Sequence, residues 1–262
     1  MFNQVDIIKS HFNKHKNLLY ELVKRDIKIK YRRSVLGVLW SLLQPLFLMI
    51  VLTIIFSSFF KRDIPNFPVY LLTGRLLYEF FSIGSRAAMR SIRRNASLIK
   101  KVYIPKYILP LSSVISNFII FLISLIILML TILVTDVELT ASILYFFFPI
   151  IYLFIFTLGV GFILSTLTVF FKDFEHLYDI FLMIVMYASA IFYPAEIVPD
   201  KYRFILDVNP LFRFISLLRD SVLYGTPFNL ADHLICLSMS VITLAIGVLL
   251  FKRNQDKFIL HI

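Results

Sequence analysis

Apolar residues in this chain gather into long uncharged runs separated by short basic or mixed-charge joints. The first run, 37–59, is 23 residues without a charge. As a helix it would be about 34 Å long, enough to cross a bilayer core. A second, 67–85, is interrupted by Arg75 and Glu79. Runs 108–134 and 141–171 are uninterrupted. A shorter one begins after Asp179 and reaches Ala195, and 234–251 closes the series. This pattern predicts an all-α integral membrane protein with six transmembrane helices.

Two segments outside the runs carry patterns of their own. In residues 1–33, Leu19, Leu22, Val23 and Ile27 recur at helical spacing while Lys24, Lys28 and Arg32 take another face. That predicts an amphipathic helix lying in the headgroup plane, with a solvated basic tail as the alternative. Residues 195–232 are too apolar for a free loop. Asn209-Pro210 predicts a helix start, with Asn as cap and Pro in the first turn, and Gly225 predicts a stop. Two short helices re-entering the outer leaflet fit this segment, and so does one amphipathic helix on the outer surface. The chain is then a single transmembrane domain: an interfacial helix (1–33), spans one to five (34–194), external re-entrant helices (195–232), and span six with a tail (233–262).

Charge sets the orientation. With the N-terminus inside, twenty lysines and arginines fall on the cytoplasmic side and six on the other. The positive-inside rule therefore places both termini in the cytoplasm. The chain has 262 residues, is 59% hydrophobic and carries a formal charge of +11. That hydrophobicity excludes an ordinary soluble enzyme. The cations sit beside apolar runs, so anionic membrane lipids are the expected partners and nucleic acid is not. Cys236 is the sole cysteine, which precludes an intrachain disulfide and a thiolate metal site.

Candidate chemistry is sparse. No phosphate-cradling glycine-rich loop ending in Lys-Ser/Thr occurs, so if the chain moves a solute against a gradient, the energy must come from a partner or an ion. Arg75 and Glu79, four residues apart, form a candidate intramembrane charge pair; a structural ion pair is the simpler role. Arg86, Arg90, Arg93 and Arg94 recur at helical spacing and give a positive stripe suited to phosphate, or merely the usual positive-inside charge. Lys172, Asp173, Glu175, His176 and Asp179 make a polar cytoplasmic turn. It reads as helix-capping acids or as a His–carboxylate cluster. No metal site is expected. The many aromatics suit a glycan conduit and lipid-facing surfaces equally.

The stretch from Arg25 to Trp40, leading to Gln44-Pro45-Leu46, resembles the N-terminal signature of polysaccharide-exporting ABC transporter permeases. Residues 95–110 are similar to that family's joint between the second and third spans. Phe171-Lys172-Asp173, Tyr193-Pro194, Pro199, Asn209-Pro210, Arg219 and Gly225 are similar to its C-terminal half. Gly74 to Phe81 departs from the family pattern, which makes Arg75 and Glu79 individual to this chain. The resemblance implies a homodimer bound to two copies of a separate ABC ATPase, with ATP and Mg held there and no cofactor in this chain. It implies a coupling helix at Asn95, Leu98, Ile99, Lys100 and Lys101, and an exit gate that includes Tyr193, Pro194, Asn209, Pro210 and Arg219. The substrate it implies is an undecaprenyl-pyrophosphate-linked polysaccharide such as O-antigen, capsule or teichoic acid. Arg86, Arg90, Arg32 and Arg33 are then expected to meet its pyrophosphate. Two alternatives use the same residues differently. One is an ABC permease for a drug or small lipid. The other is a membrane transferase, whose Mg²⁺ would have only Asp173, Glu175 and Asp179 to bind it.

Overall fold

The computed structural model describes residues 4–32, 34–60, 64, 66–135, 137–138 and 140–261. The described residues are helical, in the order α1 (Gln4–Tyr31), α2 (Trp40–Phe60), α3 (Phe67–Arg94), α4 (Ala96–Lys101), α5 (Ile108–Val134), α6 (Phe147–Phe170), α7 (Phe174–Tyr187), α8 (Arg203–Val208), α9 (Pro210–Arg219), α10 (Leu230–Asn254) and α11 (Phe258–His261). Four of these stretches are long and apolar enough to cross a membrane: Gly37–Phe56, Ile108–Val134, Ala141–Phe170 and Leu230–His261.

The two remaining expected spans differ from the other four. The second is part of α3, whose 28 residues make a rod of about 42 Å. Its charges keep it from looking span-like by composition. It is nonetheless the best-buried helix, with Leu71, Leu72, Leu77, Ala88, Met89 and Ile92 shielded completely or nearly so. The fifth expected span is displaced. Helix α7 begins at Phe174, inside the supposed polar turn, and ends at Tyr187 after 14 residues. The backbone then turns through 188–194, where Ala190 takes the left-handed conformation at φ +46°.

Helices α3, α5, α6 and α9 share one apolar core, in which Val114, Leu128, Leu153 and Phe214 are fully buried. Helix α10 crosses α6 at a glycine contact. A Cβ at Gly159 would lie 2.6 Å from the Leu244 backbone, and one at Gly247 would overlap the Gly159 carbonyl. Small residues at such a crossing let two membrane helices pack backbone to backbone. Hydroxyls inside the bundle bond to their own helix, as Thr157 Oγ1 does to Leu153 O (2.7 Å) and Ser165 Oγ to Phe162 O (3.0 Å). This keeps polar atoms satisfied where no water reaches.

A second apolar cluster lies at the end of the bundle that carries α4. Leu22 on α1 meets Ile92, Ile99, Ile108, Leu109, Phe251 and Phe258 there. The amphipathic stripe of α1 therefore packs on the protein's own helices. The C-terminal segment docks at the same place: Phe258 is fully buried, and Lys106 Nζ donates to the Gln255 carbonyl at 2.5 Å.

Candidate functional site

Helix α3 connects two polar sites, one at each of its ends. At the Arg94 end, three arginines spaced along one face meet carboxylates of α7. Arg90 Nε donates to Glu175 Oε2 at 2.9 Å and Arg93 Nη1 to Glu175 Oε1 at 2.7 Å. Arg86 Nε lies 2.8 Å from Asp179 Oδ1, out of line for a hydrogen bond. Two buried hydroxyls continue the seam: Tyr178 donates to Ser85 Oγ at 2.7 Å and Tyr78 to the Leu182 carbonyl at 3.0 Å. Tyr178 and Leu182 are also the buried residues of α7. Leu177, Ile180, Met183, Ile184 and Tyr187 remain largely exposed. So α7 leans on α3 along one narrow, mostly polar line.

Glu175 and Asp179 thus do more than cap a helix. They occupy the guanidinium forks expected to meet phosphate. Arg32 is exposed, and Arg33 lies outside the described residues. Arg94 turns the other way and donates to Asp26 of α1 at 2.8 Å, so the Arg25-Asp26 motif ties α1 to the end of α3.

The joint at Asn95 leads directly into α4. Asn95 is buried, and its Nδ2 donates to the Ser91 carbonyl at 2.8 Å. Ile99 anchors the inner side of α4 in the apolar cluster, Leu98 is half-buried, and Lys100 and Lys101 point outward. Beyond them Tyr103 is 97% exposed. An exposed Tyr thus follows two outward lysines at the end of a short helix held by one buried Ile. The spacing and resemblance point to its lysines, whereas no local signal marks Tyr103.

At the other end of α3, Arg219 of α9 is 3% exposed. Its Nη1 donates to Ala190 O at 3.0 Å, and its Nη2 to Tyr70 O at 3.2 Å and Ile191 O at 3.4 Å. The guanidinium lies over the Tyr70 ring, 3.4 Å from its centroid. Among the described residues Arg219 has no carboxylate partner. Carbonyl dipoles and an aromatic face hold the buried charge. Gly74 makes room for it, since a Cβ there would lie 2.9 Å from Nη2.

The Tyr70 hydroxyl lies 2.7 Å from Tyr193 O and 3.0 Å from Ala190 O, and its one proton is shared between these two carbonyls. Asn209 caps α9 by accepting from the Leu211 amide at 3.0 Å, while its Nδ2 donates to Ala188 O and Ser189 Oγ, both at 2.9 Å. Pro210 fills the first turn. The turn 188–193 thus gathers Tyr193, Asn209 and Arg219 into one network. Tyr70, its centre on α3, was not singled out in the sequence. Pro194 follows the turn as an extended residue and starts a short 3-10 turn.

Arg75 and Glu79 do not form the expected charge pair. Arg75 faces α7, with Nη1 3.5 Å from Met186 Sδ and the guanidinium 5.7 Å from the Tyr78 ring. Glu79 faces a cavity on the α1, α2 and α5 side. Four residues of helix leave the two positions roughly 40° apart, and different neighbours draw each side chain away.

Beside the Arg219 network, a cavity of about 310 Å³ is lined by Tyr145, Asp220, Phe228, Asn229, Asp232 and His233 among others. Burial raises the pKa of Asp220 to about 6; the nearby Asp232 adds to this and Arg219 opposes it.

Comparison with known proteins matches the family described as ABC-2 type transporter over residues 17–223. The chain is similar to the O-antigen export system permease protein RfbA of Klebsiella pneumoniae, 31% identical over 244 residues, covering 92% of this chain and 93% of that protein. A protein of the same description from Myxococcus xanthus is 29% identical, covering 93% and 95%. The polysialic acid transport protein KpsM of Escherichia coli is 27% identical over 256 residues, covering 95% and 97%.

Proposed function

The chain belongs to the ABC-2 type transporter family, and we propose that it is the membrane permease subunit of an ATP-driven exporter of a lipid-linked polysaccharide. The observation that carries this is similarity along nearly the whole chain to O-antigen and polysialic acid export proteins of three organisms. In this reading the chain is no enzyme. A separate ABC ATPase hydrolyses ATP, and two copies of it serve a homodimer of this chain. The protein lies in the bacterial inner membrane with six crossings and both termini cytoplasmic. Helices α3 and α7 complete the four clear spans, and α8 and α9 re-enter from outside. The substrate is an undecaprenyl-pyrophosphate-linked glycan, of O-antigen, capsule or teichoic-acid type.

The geometry supports a mechanical route. Helix α4 offers Leu98, Lys100 and Lys101 to the ATPase, with Tyr103 just beyond its end. Its motion reaches α3 through the buried Asn95 joint. Helix α3 is one unbroken rod, so displacement at Arg94 moves Tyr70 and Gly74 at the far end. There the Arg219 network holds the turn 188–193 and the start of α9 shut. Near Arg86, Arg90 and Arg32, pyrophosphate competes with Glu175 and Asp179 for the guanidinium groups and loosens α7 from α3. A strain lacking this gene is expected to lose its surface polymer while the lipid-linked polymer accumulates on the cytoplasmic side. A normally coated surface in that strain would refute export by this chain.

A further inference from the structure

A cavity of about 160 Å³ opens between the end of α1 and helices α2, α3 and α5. At the density of liquid water that is room for about five molecules. Its wall is mixed in a way that apolar packing does not require. Phe80, Phe121 and Ile120 supply one side, and Lys30, Gln44, Glu79 and Asn117 bring charged and amide groups to the same space. Trp40, 45% exposed, lies at its edge. Among the described residues Glu79 has no ion-pair partner. Lys30 Nζ lies 3.5 Å from Asn117 Oδ1 and 6.0 Å from the centre of the Tyr31 ring. Packing around the ammonium lowers the Lys30 pKa, and the Glu79 carboxylate acts in the opposite sense. The two charges therefore sense each other across the cavity without touching.

The lining discriminates among occupants. A phosphate would meet Lys30 but also the Glu79 carboxylate. An ammonium ion would meet the reverse conflict. An acyl chain would lie against a carboxylate and an ammonium and shut water away from both, which costs several kcal/mol in all. A neutral ring bearing several hydroxyls satisfies every group. Its hydroxyls donate to Glu79 and to the amide oxygens and accept from Lys30, while its C–H face lies against the indole. We propose that this cavity is a subsite for one neutral sugar ring of the transported glycan, with Glu79 and Asn117 reading its hydroxyls and Trp40 as the platform. The proposal rests on the export reading and adds to it a place within the protomer where the glycan is recognised.

Trp40 is the sole tryptophan of the chain, which makes its fluorescence a reporter at the cavity. The complex with the partner ATPase is reconstituted in nanodiscs. It is then titrated with lipid-linked glycan extracted from cells whose ATPase is inactive, and with the same lipid after its glycan has been removed. A matching Trp40→Phe complex supplies the blank. The expected result is a saturable Trp40 signal with the glycan-bearing lipid only. Glu79→Gln and Asn117→Ala should each weaken binding about tenfold, the scale of one hydrogen bond to a charged or buried partner. An equal response to the deglycosylated lipid would assign the cavity to the lipid phosphate. A wild-type signal that neither substitution shifts, or glycan-stimulated ATP hydrolysis with a silent Trp40, would also overturn the subsite and leave the export reading intact. A chain that binds no ATPase would defeat the export reading instead.

Discussion

Ser124 Oγ on α5 donates to the Ser41 carbonyl of α2 at 2.9 Å, and Ser41 is the residue whose helical donor Pro45 removes. A proline inside a helix leaves the carbonyl four residues earlier without a partner. In an apolar bundle that carbonyl must find one elsewhere. The same hydroxyl lies 3.0 Å from Ile120 O, so the bond to α2 is made at the expense of a local one. Ser124→Ala should cost about 0.5–1.5 kcal/mol, the usual worth of such a bond between membrane helices. The paired variant Pro45→Ala restores a donor to Ser41 O, so the double variant should lose less than the sum of the singles. Thermal unfolding in detergent of the four proteins checks this. Additive losses would deny the compensation.

The seam between α3 and α7 makes a second expectation. Helix α7 buries little, so its position depends on the Tyr178–Ser85 bond and the arginine–carboxylate contacts. Tyr178→Phe removes a buried bond and should cost about 1–2 kcal/mol. Glu175→Arg sets three cations together and should strip ATPase coupling from the reconstituted complex. The exchanged pair Glu175→Arg with Arg90→Glu should recover part of it. ATP hydrolysis measured in proteoliposomes reads both. No recovery would mean that the pair acts other than by mutual charge.

Gly74 and Arg219 should behave as one unit. A methyl group at Gly74 would lie 2.9 Å from the guanidinium and push it off three carbonyls. Gly74→Ala and Arg219→Lys are each expected to destabilise the protein by about 2–4 kcal/mol, since each leaves buried groups unpaired. Lys is no substitute, because its single ammonium cannot span the three carbonyls and stack on Tyr70. The double variant should be little worse than either single. Full additivity in thermal unfolding would show that the two sites are independent.

Asp220 makes stability depend on pH. Its pKa in the folded protein, about 6, lies above the ordinary carboxylate value of 3.8, chiefly through burial and then through Asp232. The folded state therefore holds this proton more tightly. The contribution of Asp220 is most favourable below about pH 4 and is lost as pH rises through about 6. Asp220→Asn should raise the melting temperature at pH 7 and flatten its change between pH 4 and 6. A variant with the wild-type slope would place that titration elsewhere.

The sequence was most legible where one signal stood alone. Helix α5 runs from Ile108 to Val134, the bounds of the uncharged run, because nothing but length and apolarity defines it. The Asn209–Pro210 start and the Gly225 stop also appear as expected, the latter at φ +58°. Expectation failed where two elements share a boundary. Asp173, Glu175 and Asp179 look like a loop because charges end apolar runs. Glu175 and Asp179 lie within α7 and meet the arginines of α3, while Asp173 is the residue just before the helix. Spacing placed Arg75 and Glu79 on one face, but only the packing of α7 and α1 shows that they turn apart. The Arg219 site was partly legible. Its residues could be chosen by resemblance, while Tyr70 and the Ala190 carbonyl depend on tertiary contact and carry no local signal.

The central claim is that this chain passes force from an ATPase through α4. The direct test is to co-express it with a candidate ABC ATPase from the same genome and purify through a tag on this chain. Co-purifying ATPase and its ATP hydrolysis are then measured for the wild type and for Lys100→Glu/Lys101→Glu and Tyr103→Ala variants. The account predicts a stable complex with the wild type and loss of the ATPase or its stimulation in the variants, which remain folded because Ile99 and Asn95 are untouched. A chain that purifies alone beside an intact ATPase, or variants that bind and stimulate it as the wild type does, would contradict it.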